Sequence, residues 1–353
     1  MSRALFCGYG WAARTLWRPA LRDVGFVEFG ALDSFVPAED LRAAGADRVH
    51  DDLSSVRKGD YDVAVVATPN RSHVDLAVGL LERGIPTVVE KPVCLRLDDV
   101  NRMREAAGRG DVPLLRSRST HYEPHLVSYL HQVRALSSAR PVRLSIAWTR
   151  AQGLPRSRWL TRASHAGAGS SIDLGWHLLE CVFEVTGWTP LSLTASEFIG
   201  GAGDEGRASW HGAEEYDAAE PVDVDVAADL RFDQKGGDVR IRTAWVSVRE
   251  GDEVVIDASL EEGHVRLVTL FGTSPSSSST AYVETESAGG AVRSRLPSRR
   301  PGDAHTRMVA DYVAEGFSAA RLGQSWEQLE MLAGATESIV SHHARWRAAE
   351  AQG

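Results

Sequence analysis

The run at 62–68, Asp-Val-Ala-Val-Val-Ala-Thr, is apolar at nearly every position and constrains the fold more than any other stretch. A strand with one solvated face alternates apolar and polar residues. A strand that is apolar throughout is covered on both faces, as in a parallel sheet with helices above and below it. The neighbouring sequence repeats the theme. Apolar runs at 4–7, 27–32, 86–90 and 113–116 alternate with stretches at 11–21, 73–83 and 97–107 that read as helices. In the second of these, Val74, Ala77, Val78 and Leu81 recur at three-to-four spacing, and Gly84 stands just past the end. Strand and helix in alternation predict a parallel α/β sheet.

The pattern changes near residue 122. A helix at 123–135 leads to a strand at 142–149, and a glycine-rich turn to a helix at about 171–185. Runs at 222–232, 238–248, 253–258 and 265–270 then follow with no helix between them, which predicts a largely antiparallel sheet. Two helices close the chain, at 304–315 and 326–349, and the segments 273–280 and 298–303 read as loops. With 353 residues there is room for two cores. The expected division is a parallel α/β domain over 1–122, whose ligand the turn at 8–13 identifies, and an α+β domain with an open mixed sheet over 123–353, its closing helices able to pack back on the first domain.

Between the first strand and the first helix stands Gly8-Tyr9-Gly10-Trp11-Ala12-Ala13, a G-x-G-x-x-A turn. The first glycine allows a tight turn, the second lets backbone approach a pyrophosphate, and Ala13 keeps helix and strand close. The phosphates then meet the helix N-terminus. Asp33 ends the second strand, placed to accept hydrogen bonds from an adenosine ribose. Ser34 and Phe35 follow, with no adjacent arginine for a 2′-phosphate, which favours NAD over NADP.

Lysine is scarce: only Lys58, Lys91 and Lys235 occur. Lys91 ends a strand within Thr-Val-Val-Glu-Lys-Pro, and the turn Ala67-Thr68-Pro69-Asn70 ends another. Ligands of open parallel sheets bind outside the carboxyl ends of the strands. An ammonium there is a donor and a fixed positive charge; read alone, it is equally a surface lysine paired with Glu90. Further on, His-Ala-Gly-Ala-Gly-Ser-Ser-Ile-Asp-Leu-Gly-Trp-His (165–177) sets Asp173 and His177 four apart, on one face of a helix. Gly175 between them costs about 1 kcal/mol against alanine, which suggests a close approach to the backbone. Read alone, the pair is equally a capping aspartate and a core histidine.

Taken in order, the glycine turn, Ala-Thr-Pro-Asn-Arg-Ser-His, Glu-Lys-Pro, the G-x-G-x-x-x-D-x-G-x-H segment and the closing helices resemble the glucose–fructose oxidoreductase, inositol dehydrogenase and MocA family of NAD(P)-dependent oxidoreductases over nearly the full length. The resemblance implies a Rossmann domain followed by a substrate domain on an open sheet often used for dimer or tetramer contacts. It implies cofactor contacts from Gly8, Gly10, Trp11, Ala12, Asp33, Ser34, Thr68, Pro69, Asn70, His73, Glu90 and Lys91, and catalysis by Lys91, Asp173 and His177. The segment His121-Tyr122-Glu123-Pro124 departs from the family by carrying histidine where arginine is usual. His121, Arg158, Trp159 and Arg162 are the expected substrate contacts.

The reaction so implied interconverts a secondary alcohol and a ketone on a sugar, amino sugar or cyclitol. His177 acts as base, because its ordinary pKa lies close to working pH. Lys91 stabilises charge developing on the oxygen and tends to keep the histidine neutral. Asp173 orients the histidine or binds a neighbouring hydroxyl. The short-chain Tyr-x-x-x-Lys motif is absent: Ser54, Thr87 and Arg231 stand four before the three lysines. A glycoside hydrolase that uses NAD transiently and a non-catalytic cofactor sensor are the alternatives. The low lysine to arginine ratio is associated with GC-rich genomes and natural-product pathways. The acidic run at 214–229 reads as a solvated loop and strand edge, with a cationic substrate as the other reading.

A net charge of −9 excludes the basic footprint of a nucleic-acid binder. Cys7, Cys94 and Cys181 are far apart and offer no zinc spacing, so no metal is expected. No run reaches membrane-spanning length and no leader pattern precedes the first strand. The expectation is a cytoplasmic homodimer or homotetramer acting on a small polyhydroxylated molecule.

Overall fold

The structure, a computed structural model, describes residues 2–151, 153–155, 157–200, 220–232, 237–245, 251–272 and 280–351, with backbone alone at 158 and 225–232. The chain forms two compact units, Met1–Ser119 with His305–Glu330, and Thr120–Ala304 with Met331–Gly353. Among the described residues no helix is long and apolar enough to cross a membrane.

The first unit carries β1 (Ser2–Cys7), α1 (Arg18–Asp23), β2 (Phe26–Leu32), α2 (Ala38–Ala43), β3 (Arg48–His50), β4 (Val63–Val66), α3 (His73–Glu82), β5 (Thr87–Val89), α4 (Leu97–Gly110) and β6 (Leu114–Arg116). The strands form a parallel sheet in the order β3-β2-β1-β4-β5-β6, the Rossmann order. β4 is buried along its whole length, as its unbroken apolar run requires. Each such valine contributes about 1.5–3 kcal/mol by leaving water. Register fixes where the strands end. Cys7 of β1 pairs with Leu32 of β2 and Val66 of β4, and Val66 pairs with Val89 of β5. The residues that follow, Gly8, Asp33, Ala67 and Glu90, therefore emerge side by side at one sheet edge.

The second unit carries α5 (Pro124–Leu136), β7 (Arg143–Thr149), α6 (Ala163–Ala166), α7 (Ser170–Asp173), α8 (Gly175–Thr186), β8 (Leu191–Gly200), β9 (Asp223–Phe232), β10 (Asp238–Ala244), β11 (Glu253–Leu260), β12 (Gly263–Thr269), β13 (Tyr282–Ser287) and β14 (Gly290–Arg295). Helices α9 (Asp303–Ala314) and α10 (Trp326–Glu350) close the chain. Among the described residues the sheet order is β14-β13-β12-β11-β7-β10-β9-β8. β7 and β10 run parallel; the other pairs are antiparallel, so the sheet is mixed and largely antiparallel as expected. Leu144, Ile146 and Trp148 of β7 and Val254, Ile256 and Ala258 of β11 face one side and are buried. This alternation is the mark of a sheet with one covered face.

Several elements differ from the sequence reading. The helix expected over 11–21 begins at Trp11, passes through a π turn at Ala13–Trp17, with the Arg18 N–H on the Ala13 carbonyl, and continues to Asp23. The helix expected over 171–185 is interrupted at Leu174, which separates α7 from α8. The strands β3, β8, β13 and β14 and the helix α2 were not expected. β3 has three residues with one apolar side chain, and β14 is exposed throughout, so neither carries a burial pattern to read. Residues 246–248 and 273–279 of the expected strand and loop lie outside the described residues.

Candidate active site

In the first unit, Gly8 has φ +84°, and a Cβ on it would meet the Ala67 carbonyl oxygen at 2.6 Å. Only glycine fits, both by backbone conformation and by space. A Cβ on Gly10 would meet nothing within 4 Å, so the backbone there is open to approach. Trp11 is exposed, while Ala13 is buried under the helix start. These residues fit a dinucleotide pyrophosphate at the turn. Asp33 has a second task beside any ribose contact. One carboxylate oxygen accepts from the Tyr9 N–H (2.9 Å) and the other from the N–H groups of Phe35 (2.9 Å) and Val36 (3.2 Å). It ties the glycine turn to the end of β2. Ser34 beside it is exposed.

The Thr68–Asn70 turn and the Glu-Lys-Pro turn are joined by His73, the first residue of α3. Its Nδ1 is 2.8 Å from the Pro92 carbonyl and its Nε2 is 2.7 Å from the Thr68 carbonyl. Carbonyl oxygens only accept, so both contacts are hydrogen bonds together when the ring carries two protons. Burial pulls the His73 pKa below the ordinary value, with the two carbonyls opposing it. His73 thus ties the turn after β4 to Pro92, which follows Lys91 across a cis peptide. Pro69 leads the short helical turn Asn70–Ser72, and the Ser72 hydroxyl donates to Thr68 Oγ1 at 2.8 Å. The Glu90 carboxylate is taken up by protein donors: Trp17 Nε1 (2.5 Å) and the Ser117 hydroxyl (3.0 Å) on one oxygen, the Lys91 N–H (3.1 Å) on the other. Through Trp17 the helix after the glycine turn is fixed to the strand end that presents Lys91, which is half-buried.

In the second unit, Asp173 closes α7 and His177 lies in the first turn of α8. The Trp245 indole N–H donates to Asp173 Oδ2 at 3.1 Å. His177 Nδ1 is 2.8 Å from Thr120 Oγ1, and the Trp148 ring lies 5.6 Å from the imidazole, centroid to centroid. The close approach expected at Gly175 is not what the fold uses. A Cβ there would meet only Thr243 Cγ2, at an ordinary 3.9 Å, and Gly175 is instead the first residue of α8. The glycine under constraint is Gly169, where a Cβ would lie 1.9 Å from the Asp223 carbonyl oxygen.

Of the remaining candidates, His121 Nδ1 pairs with Glu184 Oε1 at 3.2 Å. Trp159 and Arg162 are half-buried beside the short helical turn Arg158–Thr161, and the side chain of Arg158 lies outside the described residues. Lys91 belongs to the first unit; Asp173 and His177 belong to the second. The sequence reading missed Thr120, Trp148 and Trp245. No spacing rule connects 120 or 245 with the 173–177 segment. Of the acidic run at 214–229, residues 214–219 and the side chains of 225–229 lie outside the described residues; Asp223 within it is fully buried, not solvated.

Residues 2–115 match the model of the oxidoreductase family with an NAD-binding Rossmann fold. The chain is 32% identical over 320 residues, 88% of its length and 87% of the relative's, to a protein of Amycolatopsis mediterranei (strain S699) named as a UDP-kanosamine synthase oxidoreductase subunit. Among solved structures, levoglucosan dehydrogenase in complex with NADH and levoglucosan is similar at TM-score 0.73 and 16% identity, covering 98% of this chain and 97% of that one. A 3-ketoreductase from Actinomadura kijaniata, solved with NADP and TDP-benzene, gives TM-score 0.73 at 15% identity and covers 96% of each chain. At these identities the two structures speak for the fold. Glycine turn, sheet order and full-length relationship lead to one assignment: the chain belongs to the NAD-binding Rossmann oxidoreductases of the glucose–fructose oxidoreductase, inositol dehydrogenase and MocA family.

Proposed function

We propose that the protein is a dehydrogenase or ketoreductase that interconverts a secondary alcohol and a ketone on a sugar, amino sugar or cyclitol. The observation that carries the reading is the paired placement of Asp173 and His177 on successive helical turns, with His177 Nδ1 held by Thr120 at 2.8 Å. A nicotinamide cofactor supplies the hydride chemistry, and the protein orients the carbon and handles the proton. When Thr120 accepts from Nδ1–H, the lone pair of His177 falls on Nε2, which takes the alcohol proton in oxidation and returns it in reduction. Lys91 donates to the reacting oxygen and stabilises negative charge as it develops. Asp173, oriented by Trp245, binds a neighbouring hydroxyl. The Gly8–Gly10 turn and Asp33 hold the dinucleotide, with NAD preferred over NADP because Asp33 is followed by Ser34 and Phe35. The name of the Amycolatopsis relative supports a nucleotide-linked amino sugar within this class and a natural-product setting. The reading also places the protein in the cytoplasm as a homodimer or homotetramer.

Absorbance at 340 nm with a panel of sugars, amino sugars, nucleotide sugars and inositols tests the reading. Net turnover of NAD or NADH is the expected result. Release of an aglycone without net turnover would replace it with transient oxidation in a glycoside hydrolase. Cofactor binding with neither reaction would replace it with a sensor.

A further inference from the structure

The Gly169–Ser171 loop, which begins the segment carrying Asp173 and His177, rests on one buried carboxylate. Asp223, the first residue of β9, is 0% exposed. Its Oδ1 accepts from the Gly169 N–H (2.8 Å) and the Ser171 hydroxyl (2.8 Å). Its Oδ2 accepts from the Ser171 N–H (2.7 Å) and the Ser170 hydroxyl (2.9 Å). Four donors match the capacity of an ionised carboxylate. The donors are neutral, and the nearest ionisable partner, His343 Nε2, stands 3.5 Å from Oδ1. Burial pulls the His343 pKa down, against the attraction of Asp223.

The carboxylate does work that α7 does not do for itself. Gly169 at the start of α7 has no side chain with which to cap it, and the N–H groups that a cap would satisfy are held from another element. Backbone contact completes the seat, since the glycine lies directly on the Asp223 carbonyl. The same strand end reaches Asp173 by a second route. The carbonyl of Val224, next in sequence to Asp223, accepts from the Trp245 N–H at 2.8 Å, and the Trp245 indole donates to Asp173. Loop and indole are therefore indexed to one pair of residues on β9.

We infer that Asp223 is the positioning residue of the second unit's catalytic segment: it caps α7 in trans and so sets where Asp173 and His177 stand. The kinetic half of this inference rests on the proposed oxidoreductase reading; the structural half does not.

Asp223→Asn is the decisive variant. A carboxamide has one accepting oxygen, so in either orientation its NH2 faces one of the two backbone N–H groups, Gly169 or Ser171, and leaves it orphaned. Hydrogen exchange in the peptide covering 167–178 is expected to quicken at least about tenfold, with β4 and β5 unchanged. NADH affinity stays within about twofold while kcat falls about tenfold or more. In a His177→Ala background the same substitution costs little further, because the two act on one step. Ser171→Ala keeps both backbone bonds and loses one hydroxyl; an increase in exchange of about threefold is expected, and it carries the test if the Asn variant does not fold. Unchanged exchange at 167–178 in the folded variants overturns the inference whatever the enzyme does. Losses that multiply fully with His177→Ala overturn the positioning role. If wild type shows no turnover at all, the functional reading fails and the exchange result still decides the structural one.

Discussion

His305 offers a perturbation whose size follows from its surroundings. It lies near the start of α9, 5% exposed, with its ring edge-on to Trp17 at 4.6 Å and its Nε2 without a hydrogen-bond partner among the described residues. Burial lowers its pKa from 6.5 to about 4, although Glu90 pulls the other way. The folded chain therefore holds His305 neutral where the unfolded chain takes up a proton. Stability from this group is complete above pH 6.5 and declines as pH falls toward 4. With about 1.4 kcal/mol for each tenfold change in proton binding, the loss reaches about 2 kcal/mol at pH 5 and about 3 kcal/mol below pH 4. His305→Leu removes the titration and sacrifices no hydrogen bond at Nε2. The assay is urea unfolding at pH 7.5 and pH 5, with the first unit followed through exchange protection in β1 and β4. Wild type should lose about 2 kcal/mol more than the variant over that interval, the carboxylates common to both cancelling in the difference. Equal losses in the two proteins, or a His305 ring that titrates near 6.5 in the folded state, would refute the reasoning.

Three further outcomes are expected. Lys91→Ala should lower kcat by about a hundredfold or more while NADH affinity changes by no more than a few-fold, read by steady-state kinetics and fluorescence titration; near-normal turnover contradicts its role. Thr120→Val, which keeps shape and deletes the hydroxyl on His177, should lower kcat about tenfold with cofactor affinity intact. Titration with both reduced cofactors should show NADH bound at least about tenfold tighter than NADPH, about 1.4 kcal/mol, because a 2′-phosphate would face the Asp33 carboxylate.

Legibility in the sequence tracked the range of the physics. The β4 run and the helix at 73–83 were readable because burial on two faces and a three-to-four period are properties of contiguous residues. Gly8 was readable because a turn after a strand announces itself locally, and the Ala67 carbonyl beneath it confirms the need. Asp33 was half legible. Its place at the end of β2 followed from the strand pattern and its bonds to the Phe35 and Val36 N–H groups are local, but the third donor, the Tyr9 N–H, comes from a neighbouring strand's turn. The interruption at Leu174 was half legible: Gly175 marks a weak point in the helical pattern, but the break comes with the start of α7 seated on β9.

The sequence by itself determined the two-part α/β and α+β organisation, the sheet edge at which glycine turn and lysine emerge, and the four-residue spacing of Asp173 and His177. Those rest on short-range periodicity and on burial, which act between near neighbours. Tertiary structure alone decided which residues hold them: Thr120 on His177, Trp245 on Asp173, Trp17 on Glu90 and Asp223 beneath the loop. Hydrogen bonds form over about 3 Å, and folding brings to that distance residues separated by 52 to 73 positions in the chain.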